Sequence, residues 1–460
     1  MSATETLVDY ALKTGFSDLP NDVVDRAKTC ILDSLGCALG GFKTRIGSSA
    51  IAALGESRGG ESTIIGHGGK TACKDAAFIN STLTNALDFD DDNWVGHPSA
   101  TTIPAALAVA ERVGASGRDF IASYVVGYEV VTRIGKAIWP SEDRYKKVWG
   151  VGTHQAFGAV SAVGKLLALD KFETLNAFGI AGAASPLPSA MKWGFENRPL
   201  TWVKDSVAWA SIVGVTAALL AQKGFIGCRN ILDGETGFWI MAGSDRCNFD
   251  RMVGRLGEEY EILKGAFKPY SSCRFTHPTL DAVRKIVSEN NLDPHEIKNV
   301  LVRSIWDLTE FFIDYKPSAI VDAQFSLPYT VAVAILGGPP GPNWFHDECL
   351  SDQAILNLAT KVKVETDPYA EELYHGAKPK LVSTVIITTK DGKRLEAFTE
   401  YPKGEPENPL SAEELQEKFM RLASFVLDKQ QVIRLLRTVE NLEQLDNIQE
   451  LSELLHPRLS

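Results

Sequence analysis

The chain has 460 residues, 45% of them hydrophobic, 9% aromatic and 23% charged. That is the composition of a globular protein of about two to four domains, and it excludes a disordered or collagen-like chain. Forty-seven basic against 58 acidic side chains leave a net charge of −11, which excludes a nucleic-acid binder working through a broad basic face.

The first residues, MSATETLVDYALKTG, lack a basic stretch followed by an apolar run, so no secretory signal is expected. Residues 23–39 place Val24, Ala27, Ile31, Leu35 and Leu39 on one face and then meet Gly40-Gly41, which predicts an amphipathic helix with a glycine stop. Residues 76–86, 103–113, 120–137, 154–167 and 174–184 read the same way, and their Ala and Gly content permits close helix packing. Residues 62–65 are strand-like. Residues 207–221 are the most apolar stretch, but 15 residues are too few for a span of about 20. A buried core helix is expected there, and no membrane partner.

The pattern changes near Lys264. Residues 300–305 and 361–365 alternate like strands, and 381–389 and 394–399 flank an Asp391-Gly392 turn, a hairpin signature. Helices are expected at 278–289 and 324–336, with a Gly/Pro loop at 337–342. Ser411 and Glu414 form a capping box that opens a last helical stretch. The expected fold is mainly α with an α+β second domain: a helical part over 1–263, an α+β part over 264–403, and a helical segment over 404–460 that returns to the first domain.

The seven cysteines are odd in number, widely spaced and free of any CxxC pair. A disulfide framework, a zinc ribbon and an iron–sulfur ligand run are therefore not expected, and a reducing cytoplasm is the natural setting. There is also no GxGxxG, P-loop, GxSxG or HExxH, so nothing asks for a nucleotide, a flavin or a zinc-bound water.

The sharpest local feature is Asp88-Phe89-Asp90-Asp91-Asp92-Asn93-Trp94-Val95-Gly96-His97, with four carboxylates and a histidine in ten residues. Crowded carboxylates raise at least one pKa when desolvated, and they favour a charged histidine, so the run can build a general acid or base. It could equally bind a divalent metal, or be a solvated turn before a helix. His154 follows Thr153 at the start of an Ala-rich stretch; a helix N-terminus disfavours its charged form and leaves it able to accept a proton. A packed core histidine is the plainer reading. Lys204 precedes the apolar helix, where it could reach a pocket or merely pair with Asp205. Lys268 and Arg274 lie at the domain junction, and such junctions are favoured binding sites. They could clamp carboxylates, Arg274 in a bidentate manner, or form a solvated basic turn. Tyr329 sits in a helix-like run and reads first as core.

Together these residues resemble the MmgE/PrpD family. The resemblance runs through Ala27-Lys28, Leu32 to Gly36, Asn85 to Asp91, Gly96 to Ser99, Gly127-Tyr128-Glu129, Lys204, Gly224 to Gly227, the Lys268 segment and Asp322 to Tyr329. It implies a helical domain built from both chain ends, an inserted α+β lid and a homodimer. It implies 2-methylcitrate dehydratase, cis-aconitate decarboxylase or iminodisuccinate epimerase chemistry on a small di- or tricarboxylate, with no metal and no organic cofactor. By resemblance the catalytic pocket falls on Asp88, His97, His154, Lys204, Lys268 and Tyr329, with Asp92, Asn93 and Arg274 as substrate-binding candidates. Family members often carry a Thr-Trp pair after the acidic run; here Asp92-Asn93-Trp94 stands there, about one residue short of the usual spacing to His97. The extra carboxylate puts a strictly tricarboxylate substrate in doubt.

The set is chemically coherent. Removing a proton beside a carboxylate builds negative charge, which Lys204, Lys268 and, as a further candidate, Arg274 can hold. Neutral His154 can take the proton and charged His97 can give one, or the two can exchange roles. A dehydratase-type lyase is the first expectation, a decarboxylase or epimerase the second, and a non-catalytic dimeric carboxylate binder the alternative of another class.

Overall fold

The computed structural model describes every residue except 1, 56–59, 149–151, 186–190, 377 and 458–460, with only the backbone at Trp193 and Lys204. The chain forms two compact units, one of residues 1–192, 203–265 and 411–460, the other of 193–202 and 266–410.

The first unit is helical. Its framework is α1 (Ala3–Lys13), α2 (Asn21–Gly41), α3 (Cys73–Asn85), α4 (Pro98–Val113), α5 (Gly117–Ala137), α6 (Ala156–Leu166), α7 (Lys171–Ala184) and α8 (Val207–Gln222). The residues placed on one face of α2 by their spacing, Val24 through Leu39, are all buried. Helix α4 carries Pro104 in its interior. A proline has no N–H to give the carbonyl four residues back. That carbonyl, on Ala100, instead accepts from the Ser81 hydroxyl of α3 at 2.6 Å, so the break in the ladder becomes a tie between helices. Helix α8 is apolar on every side, yet Trp209 and Leu220 stay exposed. It is thus not the wholly buried helix expected from its composition. Among the described residues no helix is long and apolar enough to cross a membrane.

The helix Ala412–Ala423, from the returning segment, packs on α2. Lys418 there donates to Asp33 of α2 at 2.7 Å, and both side chains are buried. The same ammonium bonds the Phe89 carbonyl and lies 4.1 Å from the Phe89 ring centroid.

The two-residue strands β1 (Ser62–Thr63) and β2 (Lys70–Thr71) pair antiparallel in the first unit. The second unit holds a four-stranded sheet of order β4-β3-β5-β6, with β3 (Ile297–Ser304), β4 (Val362–Thr366), β5 (Ser383–Thr389) and β6 (Arg394–Thr399). Strand β3 is parallel to β4 and antiparallel to β5, and β5 and β6 form the hairpin expected around Asp391-Gly392. Helix α9 (His277–Asn290) covers β5 and β6.

Two local readings need correction. The stretch 324–336 is not one helix: it breaks at Phe325-Ser326, and α10 (Leu327–Leu336) starts afresh. Ser326 caps it by accepting from the Tyr329 N–H at 3.1 Å, and Pro328 sits in its first turn. Residues 193–202 group with the α+β unit, not the helical one. Arg198 and the Leu200 N–H both bond the Asp322 carboxylate, at 3.3 and 2.7 Å, and Phe195 packs among Phe311, Phe312 and Phe325.

Candidate active site

The loop between α3 and α4 carries the acidic run. Its path is forced: Asp88 and Trp94 adopt left-handed backbone angles, φ 49 and 37. Asp90 is fully buried. One of its carboxylate oxygens accepts from the Asn85 amide at 3.1 Å, and the other meets His97 Nδ1 at 2.7 Å. His97 itself precedes α4, with Pro98 at the first helical position, where its fixed φ suits a helix start.

The other face of the His97 ring meets a carboxylate from a distant segment. Asp205, in the short turn Lys204–Ser206 before α8, places Oδ2 3.3 Å from His97 Nε2. Asp205 and Ser206 also have left-handed backbones, φ 52 and 55. Four of the seven described non-glycine residues with positive φ therefore lie at this one place. Each such residue costs on the order of 1–3 kcal/mol, and they cluster at functional sites.

His154 is buried, and burial alone pushes its pKa down to about 4. The expectation of a neutral histidine thus has support, but for a different reason from the one first given. Helix α6 begins only at Ala156, with Gln155 as its N-cap, so His154 lies in the turn ahead and its neutrality comes from desolvation. Gly135 of α5 makes room for it: a Cβ there would lie 2.5 Å from His154 Nε2 and 2.8 Å from Val95 Cγ2. That places the His154 ring beside the segment that leads into His97.

Asp91 is also buried, with neither carboxylate oxygen hydrogen-bonded among the described residues. Burial pushes its pKa up to about 7; the nearby Asp33 and Asp90 add to the shift, and Ser99 opposes it. Asp88 is buried with Asp90 and His97, and ligand atoms of the three lie within 4.8 Å of one another, a donor set of the kind that holds a divalent cation.

Other expected site residues are placed differently. The Asn93 amide donates to the Glu261 carbonyl at 2.8 Å and to the Tyr128 hydroxyl at 3.3 Å, so it fastens the chain at 261 and is not presented to a substrate. Arg274 is not a carboxylate clamp waiting for a ligand. Its guanidinium holds Glu405 at 2.7 Å, the Lys403 carbonyl at 3.0 Å and His277 Nδ1 at 2.9 Å. Tyr329 spends its hydroxyl on the Trp344 carbonyl at 2.7 Å and packs beside Phe345, as its core reading implied. Lys268 is 1% exposed and has interaction partners, which overturns the solvated-turn reading. Asp92 is half-buried. The Lys204 side chain and the Gly150-Val151 lead to His154 lie outside the described residues.

Three residues of the site were not singled out from sequence: Asp90, Asp205 and Gln155. Asp90 lay inside the acidic run, and only the fold distinguishes it from its neighbours. Asp205 and Gln155 reach His97 across more than 50 residues of chain, and no local pattern marks them.

Residues 5–248 match the MmgE/PrpD N-terminal domain and residues 270–444 match the MmgE/PrpD C-terminal domain, so the chain belongs to the MmgE/PrpD family. Among its relatives, the human cis-aconitate decarboxylase is 29% identical over 97% of this chain and 92% of that protein. The Aspergillus terreus cis-aconitate decarboxylase is 27% identical over 98% of this chain and 96% of that protein. The mitochondrial 2-methylcitrate dehydratase of Yarrowia lipolytica is 26% identical over 83% of this chain and 76% of that protein.

Proposed function

We propose that the protein is a lyase acting on a small di- or tricarboxylate, with His97 as the proton donor and His154 as the neutral partner that accepts a proton. The observation that carries this reading is the His97 ring held between Asp90 at 2.7 Å and Asp205 at 3.3 Å. A carboxylate beside each ring nitrogen, Asp90 at hydrogen-bond distance and Asp205 at ion-pair distance, favours the doubly protonated ring, the form that can donate. His154, kept neutral by burial, has the opposite character. Two like groups pushed to opposite protonation states are the usual basis of paired acid and base roles.

Loss of CO2 from a β,γ-unsaturated acid leaves an electron pair on carbon that a proton must fill; loss of water needs a proton on the departing hydroxyl and removal of another from carbon. His97 can supply the donated proton in either case. The relatives named cis-aconitate decarboxylase align over 97–99% of the chain, and those named 2-methylcitrate dehydratase over 83–86%. That favours cis-aconitate as the first substrate to assay and 2-methylcitrate as the second, the reverse of the order expected from sequence. Proton NMR of the purified protein with cis-aconitate, 2-methylcitrate and malate in D2O distinguishes decarboxylation, dehydration and deuterium exchange. No change in any of the three acids would remove the lyase reading and leave a carboxylate binder.

Activity is expected to survive prolonged chelation. Both His97 nitrogens already face carboxylates, so a cation on Asp88, Asp90 and His97 would have to displace those contacts before the ring could offer a lone pair. Dialysis against EDTA, followed by assay with and without added Mg2+, Fe2+ or Zn2+, checks this. Loss of activity that returns with one of these ions would make the trio a metal site.

A further inference from the structure

Gln155 is fully buried and follows His154 directly. Its amide ties its own segment to two others, 97–101 and 205. Oε1 accepts from the His97 backbone N–H at 3.1 Å and from the Thr101 hydroxyl at 3.2 Å, and Nε2 donates to the Asp205 carbonyl at 3.0 Å. The His97 N–H can only donate and the Asp205 carbonyl can only accept, so the orientation of the amide is fixed by its partners. The two residues it ties through their backbones are the two whose side chains meet at His97 Nε2. Asp205 needs such a tie, because its left-handed backbone is kept only by surrounding contacts.

We propose that Gln155 is a positioning residue: by fixing the His97 and Asp205 backbones against each other, it sets the geometry in which His97 holds and releases its proton. The proposal rests on the proton-donor role given to His97 above. Gln155 acts through backbone atoms of other residues, so its removal should affect turnover more than binding.

Substitution can separate this role from simple packing. Gln155→Leu removes all three hydrogen bonds and leaves a buried N–H and a buried carbonyl without this partner. Gln155→Glu is more specific. When protonated, glutamic acid reproduces the amide, with a carbonyl that accepts from His97 and an O–H that donates to Asp205. When ionised it has only acceptors, and one of them confronts the Asp205 carbonyl oxygen. A Glu at 155 should therefore work in mildly acidic solution and fail as it ionises. A packing defect would be the same at every pH.

The experiment measures kcat and KM on cis-aconitate, from mildly acidic to mildly alkaline pH, for the wild type, Gln155→Leu and Gln155→Glu. Nitrogen-15 histidine NMR of the same proteins is recorded without substrate, with the His97 signals identified by their loss in His97→Gln. Gln155→Leu is expected to lower kcat on the order of 10²-fold with a much smaller change in KM, the cost of a misplaced reacting group. Gln155→Glu is expected to lose kcat with rising pH from a lower pH than the wild type or Gln155→Leu does, and the His97 ring signals should move in both variants. A defect that is flat with pH, or His97 signals that stay in place, overturns the proposal. If Gln155→Leu does not fold, Gln155→Glu carries the test. If the wild type turns over no acid, the lyase reading fails by itself, and the His97 signals still decide the positioning role: moved supports it, unmoved overturns it.

Discussion

Replacing His97 with Gln is expected to lower kcat by on the order of 10²-fold or more while the helical unit stays folded. The size follows from the role: a positioned proton donor contributes about that much, and no other described group at this loop faces two carboxylates. The fold should survive because Asp90 keeps its bond to the Asn85 amide, and a Gln at 97 can still donate to one carboxylate. Steady-state kinetics on cis-aconitate, with circular dichroism melts of both proteins, check the expectation. A folded variant with nearly unchanged kcat would take His97 out of the chemistry and leave it as the cation of a structural ion pair.

His154→Gln should show two effects of different origin. In turnover of 2-methylcitrate, where a proton must leave carbon, kcat should fall by a similar order, since Gln cannot accept that proton; steady-state kinetics on that acid check it. In stability, the variant should be less sensitive to acid than the wild type. His154 has an ordinary pKa of 6.5 that burial lowers to about 4 in the folded protein. Above 6.5 the ring is neutral in both states and costs nothing. Between 6.5 and about 4 the unfolded chain binds a proton that the folded protein refuses, so stability falls as pH falls; below about 4 the loss stops growing. At pH 5 this one group is expected to cost the wild type about 2 kcal/mol relative to neutral pH. Urea unfolding of both proteins at pH 7.5 and pH 5 measures it. Equal acid sensitivity in the two would show that the ring is reached by solvent and would remove the reason for its neutrality.

Much of the fold could be read from periodicity alone. Apolar spacing gave α2, and strand-like runs about Asp391-Gly392 gave the β5–β6 hairpin, because both patterns are local. Residues 193–202 could not be assigned that way, since what places them is Asp322, far along the chain. The break before α10 was legible in principle, as Ser326 followed by Pro328 is a helix-start signal, but the continuous apolar run on either side obscured it. For the site, composition and resemblance led to Asp88, His97 and His154. They could not show whether a polar group was still available. Asn93, Arg274 and Tyr329 have the right functional groups, yet each is spent on a protein partner. The converse held for Asp205 and Gln155, which became visible only when the fold brought them to His97.

The buried pair of Asp33 and Lys418 has a consequence for biosynthesis. The carboxylate is made well before its counter-charge, which follows 385 residues later (418 − 33), and the helix bearing Lys418 also covers α2. Translation at roughly 5–20 residues per second separates the two by roughly 20–80 seconds. Throughout that interval the nascent helical unit holds an acidic group at an unfinished apolar face, where burial without the lysine would be costly. The unit is therefore expected to complete late, when the tail segment bearing Lys418 emerges. Chaperone demand in the cell should track the arrival of that tail and not the synthesis of the first 265 residues, long though that first portion is.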